Sequence, residues 1–313
     1  MTELTQFEER FREAMHSDVP LLDKITWYIV RSKGKQVRPI LVLLSARLFG
    51  DVNEASYTAA ALVELLHTAT LVHDDVVDDA HQRRGFFSIN ALWKNKIAVL
   101  VGDFLLAKGL LLSIQNQQFR ILEIVSRAVK EMAEGELLQM EKARRLDVNE
   151  AIYYDIIRQK TASLIAAACS AGAASTTSDA HVLEQLRLFG ERMGMAFQIR
   201  DDLFDFGEDT ETGKPTGMDI KEKKMTLPLI YALNSADRAS RRRIINIVRN
   251  ESEKAEKVAE VIQFVRESGG LLYARQAMER FRQQALEILF TLPDTPARTA
   301  LRDLLFFATE RNR

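Results

Sequence analysis

Apolar residues recur at every third or fourth position along almost the whole chain. Leu4, Phe7, Phe11 and Met15 form the first such stripe, the spacing of an amphipathic helix. Pro20 opens a second helix through Ile25 and Ile29 that stops near Lys33-Gly34. Pro39 starts a third, through Leu43 and Leu48, that ends at Gly50. Asn53 caps a long fourth helix whose stripe is Leu62, Leu66, Ala69, Val72 and Val76. Further helices fit 90–115, 119–144, 148–173 and 182–206. From Leu227 onward the pattern stays helical, punctuated by Gly269-Gly270 and by 291–296. Alternation of the kind that marks a strand is missing, so the reading is all-α. Two polar segments interrupt it. One covers 80–88; the other, 207–226, is about twenty residues long, the kind of insertion that often forms a ligand loop.

Composition sharpens this picture. Fourteen glycines and six prolines in 313 residues fall below the usual roughly 7% and 5%, so turns are few and long helices are favoured. No linker separates domains, and one large helical domain over 1–313, a bundle around a central cavity, fits best. Lys and Arg number 43 against 44 Asp and Glu, a net charge of −1. Nothing in that balance draws the chain to nucleic acid or to an anionic membrane. The single cysteine, Cys169, excludes an internal disulfide and suits a reducing, cytoplasmic compartment. The acidic start of the chain does not read as a signal peptide. The stretch 97–114 is apolar enough to raise a membrane span, but Asp103 and Lys108 inside it favour a buried helix of a soluble protein.

The chemistry lies in two acidic turns. His73-Asp74-Asp75-Val76-Val77-Asp78 closes the fourth helix, and Asp74 and Asp78 share a face with Asp75 alongside. Like charges at a helix C-terminus oppose the macrodipole, so a lone cluster of this kind reads as a solvated helix end. The same spacing returns in Gln198-Ile199-Arg200-Asp201-Asp202-Leu203-Phe204-Asp205. Two such triads on helices with apolar faces suggest hard oxygen clamps for Mg²⁺, the cation that bridges carboxylate to phosphate. Basic residues follow each triad: Arg83 and Arg84 after the first, and Lys214, Lys221, Lys223 and Lys224 after the second. Lys35 and Arg38 lie at a helix N-terminus, itself suited to anions. Taken singly each basic group is an ordinary solvated cluster; beside the triads they fit a metal-bridged diphosphate.

These residues are where the chain resembles the all-trans polyprenyl diphosphate synthase family, along nearly its full length. The ordered motifs are Gly34-Lys35 with Arg38-Pro39; Glu64-Leu65-Leu66-His67 leading to Asp74, Asp75 and Asp78; Arg83-Arg84-Gly85; Gly102-Asp103; Glu134-Gly135-Glu136 with Gln139; Lys160-Thr161; Phe197-Gln198 with Asp201, Asp202 and Asp205; Gly213-Lys214; and Lys224 with Thr226-Leu227-Pro228. The resemblance implies a prenyltransferase with an isoprenoid-synthase helical fold. It implies that Asp74, Asp75, Asp78, Asp201 and Asp205 hold about three Mg²⁺ on an allylic diphosphate. Arg83, Lys160, Lys214 and Lys224 would contact that diphosphate, and Lys35, Arg38, His67 and Arg84 would hold isopentenyl diphosphate. Thr161 and Gln198 would line the reacting centre. A homodimer without a membrane span is expected on the same ground.

Three positions depart from the family pattern: Phe86-Phe87-Ser88 replaces a Pro-Thr or Pro-Ser step, Lys223 stands where Gly is usual, and Lys33 stands for the first Gly of a Gly-Gly-Lys. None removes a charged ligand. Thr70 and Ala69, just before the first triad, are small where short-chain synthases commonly carry aromatics, and Leu66 one turn deeper is moderate. That predicts a long product, roughly thirty to fifty carbons, in an apolar tunnel. Close helix packing is the competing explanation of the small residues. A short-chain synthase is the nearest alternative. A di-iron carboxylate bundle is a remote one, resting on Glu64-Leu65-Leu66-His67 and Glu13-Ala14-Met15-His16. A metal phosphohydrolase, a terpene cyclase and an inactive subunit of a heteromeric synthase each leave part of the motif set unexplained.

Overall fold

The computed structural model describes residues 2–32, 34–83, 85–207 and 216–310. Among them the chain forms sixteen α-helices, one π-helical turn and two strands of two residues each. The helices are α1 (Thr2–Met15), α2 (Pro20–Arg31), α3 (Val37–Arg47), α4 (Glu54–Val77), α5 (Ile89–Trp93), α6 (Asn95–Gln115), α7 (Phe119–Arg145), α8 (Glu150–Ile157), α9 (Ser163–Ala174) and α10 (Ala180–Asp205). Then follow α11 (Met218–Lys221), α12 (Leu227–Ser235), α13 (Arg238–Asn250), α14 (Ala255–Glu267), α15 (Gly270–Phe290) and α16 (Pro296–Thr309). All-α is therefore the class, as the periodicity implies.

The chain divides into two compact units. The first is Met1–Val129, Leu164–Arg187 and Leu292–Leu301; the second is Lys130–Ser163, Leu188–Thr291 and Arg302–Arg313. Helices α7, α10 and α16 each contribute to both.

In the first unit, Phe7, Phe11 and Met15 bury the inner face of α1. Helix α3 is buried along Leu41–Ala46, on every side, so it carries no polar stripe. Helix α4 starts in a capping box: the Asn53 side chain accepts from the Ser56 amide, and the Ser56 hydroxyl accepts from the Asn53 amide. It packs mainly on α6 and α3. Its buried stripe includes Leu62, Leu66, Ala69 and Val72. In the second unit, Ile199, Leu203 and Phe206 of the α10 region meet Leu227, Leu229 and Ile230 of α12 and Val261 and Val265 of α14 in one core.

Three local features depart from the periodicity. The helix expected from residue 90 breaks at Lys94, which takes φ 74; no glycine or proline marks the place, so the pattern runs through it. The helix expected over 148–173 contains the π-helical turn Arg158–Ala162. In a segment that reads as a polar interruption, Gln82–Arg83 and Phe86–Phe87 pair antiparallel, Gln82 opposite Phe87 and Arg83 opposite Phe86; Gly85 at φ 78 supplies the turn. Two-residue strands carry too few side chains for alternation to register.

The α6 expectation needs correcting. Helix α6 buries Ala98, Val101, Gly102, Leu105, Gly109 and Ser113 on one side only. Of its most apolar 18-residue window, 33% is buried, against 72% for the comparable window of α4. Leu100, Leu110, Leu111 and Ile114 lie exposed on its other side.

Candidate active site

The first acidic triad sits at the end of α4. The amide of Asp78 still donates to the Asp74 carbonyl at 2.8 Å, so the helical turn that stacks the two carboxylates persists to Asp78. Burial separates the three side chains. Asp75 is 3% exposed, Asp74 is half-buried and Asp78 is exposed. The Asp75 carbonyl accepts from the Ala80 amide at 2.9 Å and from Asn90 Nδ2 at 3.0 Å, which ties the turn after α4 to α5. His73, just before the triad, lies against Gly102 of α6. A methyl group at Gly102 would fall 2.1 Å from His73 Nε2, so the His73 ring can occupy this place only because residue 102 has no side chain. The same Nε2 stands 3.2 Å from the Val99 carbonyl oxygen.

The chain-length candidates lie on α4 as well. Ala69 is fully buried and Leu66 nearly so. Thr70 donates to the His67 carbonyl of its own helix at 2.8 Å. A Cβ on Gly109 of α6 would lie 3.5 Å from Leu66 Cδ2, so Leu66 packs directly on that helix. Lys35 is exposed just before α3, and Arg38 is half-buried in the first turn of that helix. His67 is buried in α4. The Arg83 backbone belongs to the first strand; Arg84 and Lys214 lie outside the described residues.

The second unit gathers most of the remaining candidates. Lys160 and Thr161 lie in the π-helical turn, a feature that often marks function because it breaks the regular register of a helix. Helix α7 approaches that turn at Gly135, where a Cβ would fall 2.8 Å from Gln159 Cβ and 2.9 Å from the Lys160 nitrogen. The close approach lets Lys160 reach α7, where it pairs with Glu136 and donates to Gln139 Oε1 at 3.5 Å. Thr161 Oγ1 donates to Gln198 Oε1 at 2.7 Å, and Gln198 Nε2 donates to Asp202 Oδ1 at 2.8 Å. Tyr153 donates its hydroxyl to Asp202 Oδ2 at 2.6 Å.

The three aspartates of the second triad have different surroundings. Asp201 is exposed. Asp202 is 5% exposed. Burial, and then the neighbouring Asp219, push its carboxyl well above the usual range, against the opposing donors Tyr153 and Gln198. Asp205 accepts at Oδ1 from the Met218 amide at 2.8 Å and at Oδ2 from the Asp219 amide at 3.0 Å. Its own carbonyl accepts from the Gly217 amide at 2.8 Å. Asp205 thereby holds the start of α11, and burial raises its carboxyl too. Asp219 is pushed up to about 6 by burial and then by Asp205. Lys224 pairs with Glu222 and lies 3.9 Å from Asp219. Burial works to lower the Lys224 ammonium, but Glu222 and Asp219 outweigh it and raise it.

Asp74 and Asp78 in the first unit, and Asp201 in the second, each present carboxylate oxygens that are open to solvent or half so, as hard cations that keep part of their water shell require. Among the described residues no three carboxylate, His or Cys side chains form a closed cage. A metal bridging to ligand oxygens needs none. The di-iron alternative loses its Glu13–His16 pair: the His16 ring is bonded to Asp23 at 2.8 Å on the surface. Tyr153, Asp219 and the pairing of Lys160 with Glu136 did not emerge as site features from the sequence. The one signal for Tyr153 was a tyrosine two helical turns before Lys160, since a buried tyrosine hydroxyl needs a partner.

The polyprenyl synthetase family profile matches residues 19–265, a span that draws on both units. The octaprenyl diphosphate synthase of Escherichia coli is 38% identical over 304 residues, covering 96% of this chain and 93% of that protein. A decaprenyl diphosphate synthase from Rhodobacter capsulatus superposes with a TM-score of 0.94 at 37% identity, covering 100% of this chain and 97% of its own. A polyprenyl synthase from Caulobacter crescentus, solved with calcium and isoprenyl diphosphate, superposes with a TM-score of 0.91 at 35% identity, covering 100% and 95%. With matches of this extent, on a helical chain that carries both acidic turns, the protein belongs to the polyprenyl synthetase family and is a prenyltransferase.

Proposed function

We propose that the chain is a long-chain trans-polyprenyl diphosphate synthase. It condenses isopentenyl diphosphate with an allylic diphosphate and lengthens the product to roughly thirty to fifty carbons. One observation carries the reading furthest: Thr161, beside Lys160 in the π-helical turn, hydrogen-bonds Gln198 from 37 positions away, and Gln198 in turn bonds Asp202 of the second acidic turn.

Asp74, Asp75 and Asp78 together with Asp201 and Asp205 are assigned to divalent metal on the allylic diphosphate. Divalent metal, about three Mg²⁺, would draw off the negative charge that builds on the leaving group. Lys160 and Lys224, with Arg83 and Lys214, add fixed positive charge for the same diphosphate. The pairs Lys160–Glu136 and Lys224–Glu222 set each ammonium in place beforehand. Lys35, Arg38, His67 and Arg84 are assigned to isopentenyl diphosphate. The allylic C–O bond breaks and its electron pair leaves with the diphosphate. The isopentenyl double bond attacks the allylic cation, forming the new C–C bond. The proton lost in closing the new double bond passes to the released diphosphate, so no side chain needs a tuned pKa.

The units are proposed to act as one catalytic domain, in the cytoplasm, where a lone buried thiol stays reduced. A homodimer is proposed as well, covering the apolar face of α6. Asp103 stands on that helix with its side chain 61% exposed; a charge there would cost about 2.5–3.5 kcal/mol in a bilayer, which favours a protein surface over lipid.

The test is incubation with Mg²⁺, farnesyl diphosphate and isopentenyl diphosphate, followed by mass analysis. The expected result is a ladder rising by one isoprene unit per step. Release of phosphate without elongation overturns the reading, and a ladder ending near about twenty carbons overturns its long-chain part. Asp74→Ala and Asp201→Ala should each lower turnover by about 10²–10³ or more.

A further inference from the structure

Asp202 carries the motif letter of a metal ligand, but its surroundings are those of an anchor. Both of its oxygens are engaged by neutral donors, Gln198 Nε2 at 2.8 Å and the Tyr153 hydroxyl at 2.6 Å. The carboxyl is buried, and the Tyr153 ring lies in the core of the second unit. From there the hydrogen bonds run outward. A side-chain amide can present either end to a partner, and the two ends are opposite in character. Asp202 accepts, so it selects the Nε2 end of Gln198. That leaves Gln198 Oε1 to accept from Thr161 Oγ1 at 2.7 Å. The Thr161 proton is thereby committed to Gln198, and the hydroxyl oxygen keeps its lone pairs for a partner outside the relay. Tyr153 and Asp202 are buried, whereas Gln198 and Thr161 are half-exposed. The relay thus has a closed end in the core and an open end that presents oxygens.

We infer that Tyr153 and Asp202 are positioning residues for the prenyl transfer, and that they fix Gln198 and Thr161 so that oxygen, not N–H or O–H, faces the developing allylic cation. This rests on the function proposed above. Its chemistry is electrostatic: preset oxygen dipoles favour a cation without having to reorient as it forms. Tyr153 lies outside every acidic or basic motif of the chain.

Tyr153→Phe removes one hydroxyl and keeps the ring. With the wild-type chain elongating normally, the variant should lose about tenfold in kcat, the equivalent of one hydrogen bond. KM for both diphosphates and the Mg²⁺ concentration for half-maximal rate should not move. Asp202→Asn should show the same pattern with a larger loss, and serves if Tyr153→Phe folds poorly. In a Gln198→Ala background Tyr153→Phe should add little further loss in kcat, because the group it positions is gone. A merely structural role would instead multiply the two losses. Unchanged kcat in both single variants, multiplying losses with Gln198→Ala, or a raised Mg²⁺ requirement in Asp202→Asn overturns the relay while leaving the synthase reading intact. A wild-type chain that does not elongate its substrate overturns both.

Discussion

Asp201, Asp202 and Asp205 share one helical turn, yet each has its own environment. Asp201 faces solvent, Asp202 is sealed against Tyr153 and Gln198, and Asp205 ties down three successive amides from Gly217 to Asp219. The spacing identifies an acidic turn; burial then separates Asp202, sealed in the core, from the exposed Asp201 and the half-buried Asp205. The same logic applies to Cys169. Burial pushes its thiol up to about 12, with Ser45 pulling the other way. The thiolate is the reactive form, so it stays scarce at any pH below that value and appears only as pH rises toward it. A disulfide reagent at pH 8 should therefore leave the folded protein unlabelled and titrate one thiol after denaturant is added. Rapid labelling of the native chain would contradict the buried assignment.

Among the elements, α4 and its neighbour α6 are the ones proposed to set product length. They approach closely at Gly102, which lies against the His73 ring, and at Gly109, where a Cβ would fall 3.1 Å from Leu62 Cδ1. Ala69 is fully buried on α4. A large side chain forced into a packed core commonly costs about 1–3 kcal/mol, whereas one that enters a tunnel costs much less. Ala69→Phe should therefore shorten the product ladder with little loss of thermal stability. An unchanged ladder, or a protein that melts far lower, would mean that Ala69 serves helix packing alone. The π-helical turn at Arg158–Ala162 is the other decisive element. Apolar periodicity continues through it, so the sequence reads as one helix. What the pattern does not encode is the irregular turn itself, with Gly135 close beneath Gln159 and Lys160.

For the whole molecule, the outer side of α6 is an apolar surface that the described residues leave exposed. Leu100 is 59% exposed and Leu111 52%, and contiguous apolar surface of this kind marks an interaction face. Sedimentation equilibrium should give a dimer, and Leu100→Glu with Leu111→Glu should give monomers; a wild-type monomer would refute the pairing. Much of this protein is legible without coordinates. Helical class, most of the long helices up to Asp205 and both acidic turns follow from apolar spacing and from repeated carboxylates, because those patterns are local and period-bound. The left-handed break at Lys94 and the miniature hairpin at 82–87 escaped, since each spans too few residues to leave a period. Only the folded chain decided that Asp202 is an anchor, that Tyr153 holds it, and that α6 keeps one apolar side uncovered. Those properties depend on which distant side chains come within a few ångströms, and burial and hydrogen bonding are fixed by that proximity, not by spacing along one helix.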